Sequence, residues 1–213
     1  MLSSPATILK AYAKVKKTLE NYEASLVAVS KRQPLERIQV LVDAGHRDFG
    51  ENYLQEWEQK KELLPSDLNW HFVGQLQSRK IKSLVQGGVH CVHSVGSSSS
   101  IKKIKGFDPP PSWLIQINLA GEEQKGGLSQ DEFHLMMEKP EDLTGLKGLM
   151  CIPPSNLSQS QLQAHFKKMR ELKDQYSLKE LSMGMSADWE MALDEGSTLI
   201  RLGSVLFGER NLI

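Results

Sequence analysis

Cysteine is scarce in this chain of 213 residues: only Cys91 and Cys151 carry thiols. Both lie in or beside apolar runs and match no metal-ligand spacing, so they read as buried small hydrophobes in a reducing, cytoplasmic compartment. An excess of either charge is missing too, with Lys+Arg and Asp+Glu both at 26. That balance gives no argument for nucleic acid or an anionic membrane surface as a partner. No apolar stretch reaches the ~18 residues of a membrane span. The opening Met1-Leu2-Ser3-Ser4-Pro5 has no charged segment leading into an apolar core, so no signal peptide is read. A Gly-x-Gly-x-x-Gly turn after the first strand, a P-loop, a Gly-x-Ser-x-Gly elbow and paired-cysteine motifs are all absent. Hairpin turn signals are absent as well.

What is present is an alternation. Strand-like runs fall at 25–31, 48–52, 69–74, 90–95, 113–118, 146–152, 178–183 and 199–207. Helical patterns separate them, with Ser158 and Ser186 as candidate caps and Gly45 as a terminator. A further helix opening at Ser4-Pro5 precedes the first strand, placed to close the bottom of a barrel. Alternation without hairpins requires parallel pairing through right-handed crossovers. The chain is therefore predicted to form one domain over residues 1–213, a single (β/α)8 TIM barrel with an extra N-terminal helix. A doubly wound open sheet is the alternative, and it lacks its glycine-rich turn.

Ser25-Leu26-Val27-Ala28-Val29-Ser30-Lys31 is the oddest stretch, an apolar run that ends on an ammonium group before Pro34 breaks the ladder. Parallel sheets place their chemistry at the carboxyl ends of strands. Lys31 there is either a lysine snorkelling to solvent or a desolvated amine suited to attack an aldehyde. The other strand ends deliver Asn52, His71, Ser94, Asn118, Met150, residues 184–186 and 201–204 to the same rim.

Arg201 interrupts a strand that is otherwise apolar on both faces, so it needs a partner, with Glu51 or Asp188 as the nearest candidates. Ser186, Gly203 and Ser204 close the seventh and eighth strands, where barrels often hold phosphate; an ordinary serine cap is the competing role for Ser186. A rim lysine opposite a phosphate cradle describes a pocket for a phosphorylated aldehyde. Taken alone, His71 reads as a satisfied core histidine. No metal site is read from His90-Cys91-Val92-His93, because positions three apart on a strand face opposite sides.

Several segments together resemble the pyridoxal phosphate homeostasis proteins. They are Ala28-Val29-Ser30-Lys31, Phe49-Gly50-Glu51-Asn52, the stretch from Trp70 to Gln77, Gly148-Leu149-Met150, the stretch from Leu181 to Glu190, and Arg201-Leu202-Gly203-Ser204-Val205-Leu206-Phe207-Gly208. That family consists of single barrels similar to the alanine racemase N-terminal domain. The resemblance implies pyridoxal 5′-phosphate held as a Schiff base on Lys31. It also implies that Arg201 meets the ring nitrogen, that Ser186, Gly203 and Ser204 hold the phosphate, and that Asn52, His71 and Met150 line the ring. A guanidinium can only donate, so it keeps the ring nitrogen unprotonated and weakens carbanion chemistry.

Two features depart from a racemase. Lys31 is followed by Arg32-Gln33-Pro34 rather than an alanine, asparagine and tyrosine-bearing segment, and no C-terminal β-domain is expected after Ile213. Arg79-Lys80 stands where asparagine-lysine is common, and Lys125 in a family-like loop reads as a solvated loop lysine, with acceptance of cofactor in transit as the competing role. The expectation is a cytoplasmic monomer in vitamin B6 homeostasis, without substrate turnover, catalytic residues or a bound metal, that hands cofactor to pyridoxal-phosphate-dependent apo-enzymes. The rivals are an amino acid racemase or decarboxylase and a cofactor-free Schiff-base aldolase.

Overall fold

A computed structural model describes residues 4–122, 126–138 and 143–208. The elements run α1 (Pro5–Leu19), β1 (Ser25–Val29), α2 (Leu35–Asp43), β2 (Asp48–Glu51), α3 (Leu54–Leu63), β3 (Asn69–Phe72), α4 (Ile81–Gln86) and β4 (Cys91–Val95). They continue with α5 (Ser98–Lys105), β5 (Ser112–Gln116), α6 (Gln130–Met136), β6 (Leu146–Met150), α7 (Gln159–Gln175), β7 (Glu180–Ser182), α8 (Trp189–Asp194), β8 (Leu199–Leu202) and α9 (Ser204–Phe207). The eight strands pair in parallel and in order, and β1 joins β8 to close the barrel.

Local chemistry accounts for the element starts. Ser4 caps α1 by accepting from Thr7 N, and Pro5 occupies the first turn, where its missing N–H costs nothing. Reciprocal side-chain and backbone bonds between Ser97 and Ser100, Ser129 and Glu132, and Ser158 and Gln161 start α5, α6 and α7. The serine run at 97–100 is thus a helix entry. The strands are buried on both sides because helices cover their outer face while the lumen is filled by side chains.

The structure departs from the sequence reading at three places. The run 199–207 divides into β8 and the short helix α9, since continuous apolar residues suit a buried strand and a buried helical turn equally. Ser186 does not cap α8: that helix starts after Asp188, whose Oδ1 accepts from Met185 N at 2.6 Å, and Ser186 Oγ instead accepts from Val205 N in the first turn of α9 at 3.4 Å. Helix α1, expected to close the bottom of the barrel, packs beside α2 and α9, and none of its residues lines the cavity at the amino ends of the strands. No helix among the described residues is long and apolar enough to cross a membrane.

Candidate functional site

Side chains two apart along a strand share a face, so 27, 29 and 31 on β1 and 48, 50 and 52 on β2 form columns into the lumen and onto the rim. At the top of those columns a cavity of about 170 Å³ opens at the carboxyl ends of the strands. Lys31, Asn52, Ser186, Arg201, Gly203 and Ser204 line it. Six of the eight residues expected to bind cofactor therefore come together. Its apolar wall consists of Met185, expected at the rim, and of Val29, Val73 and Ile152, which the sequence did not single out.

Lys31 leaves the ladder just past β1. Ser30 N still donates to Gly50 O at 3.0 Å, and Arg32 then takes a positive φ of 57° that turns the chain toward α2. Glu51 anchors this turn from behind. Ser30 Oγ and Lys60 Nζ each donate to Glu51 Oε1 at 2.7 Å, and Lys60 also donates to Ser30 O at 2.7 Å and to Glu56. Glu51 and Lys60 are both buried; burial raises the Glu51 pKa, while Lys60 and the Ser30 hydroxyl pull it back. The result is a rigid floor under the amine-bearing turn.

Arg201 is 5% exposed and forms no direct ion pair with a described carboxylate; Glu51 is paired with Lys60, and the expected Asp188 acts on Arg201 only through the field of its charge. Neutral groups hold it instead: Nη1 donates to Ser182 Oγ at 2.6 Å and Nη2 to Cys151 O at 2.9 Å. Burial lowers its pKa, yet a guanidinium stays protonated in proteins. These two bonds do not exhaust its N–H groups, and the side chain lines the cavity. Asn52 Oδ1 is likewise buried without a partner. An acceptor and a donor-only cation thus converge on a space that the protein itself does not fill.

From Arg201 a hydrogen-bonded chain descends through the lumen. Ser182 Oγ meets His93 Nδ1 at 2.9 Å, His93 Nε2 meets His71 Nδ1 at 2.9 Å, and His71 Nε2 meets Asp48 Oδ1 at 3.2 Å. Asp48 and His71 line a second cavity at the amino ends of the strands. His71, expected at the rim, is therefore at the other end of the barrel. Met150 is fully buried in the lumen against Cys91 and Leu114, and it does not line the rim cavity either. Both errors have one cause. His71 and Val73 share a column, as do Met150 and Ile152, and in each the residue two further along is the one that reaches the cavity. Strand ends in sequence are set by sheet pairing, which composition does not reveal.

Arg79 and Lys80 line a separate surface cavity beside Tyr53, Leu54 and Gln55. Lys125 lies outside the described residues.

Comparison with known proteins places this geometry. The alanine racemase N-terminal domain model matches residues 4–211. A pyridoxal phosphate homeostasis protein of Aquifex aeolicus is 38% identical over 200 residues, covering 88% of this chain and 87% of that protein. PipY of Synechococcus elongatus PCC7942, solved with PLP bound, superposes with a TM-score of 0.83 at 34% identity, covering 94% of this chain and all of that one. Alanine racemase of Bartonella henselae shares the barrel, with a TM-score of 0.81 over 97% of this chain and 59% of the racemase, at only 17% identity. On these grounds the chain belongs to the alanine racemase N-terminal domain family and, within it, to the pyridoxal phosphate homeostasis proteins.

Proposed function

We propose that this protein binds pyridoxal 5′-phosphate reversibly in the rim cavity, attached as a Schiff base to Lys31, and serves cofactor homeostasis without turning over a substrate. The observation that carries this reading is the gathering of an amine, a guanidinium and a set of hydroxyl and main-chain donors around one cavity. The donor set matches the group by its chemistry. Lys31 supplies the amine for the aldehyde, and Arg201 supplies a donor for the ring nitrogen. Ser186, Gly203 and Ser204, with their hydroxyl and main-chain donors at the entry to α9, suit the phosphate. Val29, Val73, Ile152 and Met185 flank the ring, and Asn52 offers its unpartnered oxygen.

When bound, the cofactor supplies an aldehyde that exchanges between amines. Everything else follows from the chain itself. Arg201 donates and never accepts, so it holds the ring nitrogen unprotonated and lowers the electron-sink character of the ring. Ser182 and Cys151 O fix that guanidinium in place. The proposed recipients of what the rim releases are apo-enzymes that need the cofactor.

Borohydride reduction of the full chain loaded with pyridoxal phosphate, followed by peptide mass spectrometry, is expected to place the adduct on Lys31. Lys31→Ala is expected to lose it while keeping its far-ultraviolet circular dichroism. A stable adduct on another lysine in the variant overturns the assignment. With single L-amino acids in deuterated water, the loaded protein is expected to give no steady wash-in at the α-carbon. Sustained exchange would make it an enzyme.

A further inference from the structure

The amino end of the lumen holds a group of side chains that the rim site does not use. Cys91 and His93 of β4 are two apart and share the lumen face; the pairing that the strand rule excludes is His90 with His93. The register sets His71 of β3 beside Cys91. All three are buried, and their ligand atoms lie within 4.8 Å of one another.

The orientation of the rings is the telling feature. His71 Nδ1 and His93 Nε2 face each other at 2.9 Å. Their outer nitrogens are tied elsewhere, His71 Nε2 to the Asp48 carboxylate at 3.2 Å and His93 Nδ1 to Ser182 Oγ at 2.9 Å. Histidines that ligate metals are held in this way, one nitrogen toward the ion and the other on a carboxylate or another hydrogen-bonding group that fixes the ring. Below them a cavity of about 330 Å³ is lined by Asp48, His71, His90 and Cys91, which leaves room for a fourth ligand.

We propose that His71 Nδ1, His93 Nε2 and Cys91 Sγ form a binding site for a divalent metal ion of the zinc class. Two imidazoles and one thiolate suit zinc, and three protein ligands leave one coordination position for a further ligand. Without the ion the two histidines bond to each other. On binding, Cys91 releases its thiol proton to solvent, the sulfur and both inner nitrogens each donate an electron pair, and nothing is oxidised or reduced. Zinc–nitrogen bonds of ~2.0–2.1 Å and a zinc–sulfur bond of ~2.3 Å require the inner nitrogens to part by a few tenths of an ångström and the Cys91 sulfur, within 4.8 Å of them, to close to bonding distance of the ion. The site stands whether or not the rim cavity takes a cofactor, because none of its three ligands lines that cavity.

Cobalt titration of the full, cofactor-free chain, stripped by a chelator and kept reduced, tests it. The expected result is saturation at one equivalent with a thiolate-to-cobalt charge-transfer band in the near ultraviolet, which added Zn2+ abolishes. Cys91→Ser is expected to lose that band and Cys151→Ser to keep it. Asp48→Asn, at a partly exposed side chain, is expected to fold and to bind zinc ~10–100-fold more weakly. Absence of the band in the unmodified protein overturns the proposal without any variant. So does a band that survives Cys91→Ser, or a zinc affinity unchanged by Asp48→Asn.

Discussion

Glu51 shows how much of the rim depends on residues that never reach the cavity. Its carboxylate is fully buried, and Lys60 and Ser30 supply its hydrogen bonds to Oε1. Removing the ammonium leaves a buried charge without compensation, so Lys60→Met is expected to cost ~3–5 kcal/mol at neutral pH. The sign of the pH effect follows from burial, which already raises the Glu51 pKa and raises it further without Lys60. A raised carboxyl favours the protonated fold, so the penalty is expected to shrink as pH falls through that raised value. Urea unfolding of both proteins across the acid range measures this; a penalty independent of pH would clear Glu51 of the charge. Gly74 is a second such residue, since a Cβ there would lie 2.1 Å from Asn52 O. Gly74→Ala is expected to lose ~1–3 kcal/mol to overpacking and to weaken cofactor binding by displacing Asn52; equilibrium dialysis with pyridoxal phosphate reads the second effect. At this scale the sequence is legible where a residue breaks its own surroundings. Lys31 ending an apolar strand and Arg201 inside one both stand out, whereas Val73 and Ile152 look like any core residue.

Among the elements, the helix caps and the strand order are legible because serine boxes and β-branched runs are local signals. The position of α1 is not. Its apolar face, Ile8, Val15 and Leu19, requires a partner without naming one, and α2 and α9 are brought within reach only when β1 and β8 meet. His46 lies at that junction, edge-on to Tyr12 of α1 at 5.4 Å and to Phe49 of β2 at 5.1 Å, with Nε2 against Asp48 O at 2.8 Å. Desolvation lowers its pKa, opposed more weakly by that carbonyl and the Asp48 charge. A depressed histidine stabilises the fold at pH above its unfolded value of ~6.5, and that contribution is lost as pH falls through the folded value. His46→Phe is therefore expected to show a shallower loss of stability between neutral pH and the folded pKa than the unmodified protein. Parallel slopes by chemical denaturation would remove His46 as the acid-sensitive link between α1 and the barrel.

For the molecule as a whole, closure is legible from eight alternating segments, but which layer of the closed lumen reaches the rim is not, because tilt and stagger are fixed only when the ring is complete. Closure also determines what a ligand at the rim does to the fold. The cavity is lined by the ends of β1, β2, β3, β6, β7 and β8, so one bound molecule bridges the seam where the first strand meets the last. A ligand that binds only the folded state adds ~2.7 kcal/mol at a hundredfold excess over its Kd. In a domain of this size each kcal/mol moves Tm by ~2–4 °C, so pyridoxal phosphate at that excess is expected to raise Tm by ~5–11 °C. On the proposed attachment to Lys31, the Lys31→Ala variant loses the covalent bond and not the phosphate and ring contacts, so its shift at the same concentration is expected to be smaller. Pyridoxine phosphate, which has the ring and the phosphate but no aldehyde, separates the two contributions: it is expected to shift both proteins equally. Were pyridoxal phosphate itself to shift the variant and the unmodified protein by the same amount, the amine at the end of β1 would contribute nothing to holding it.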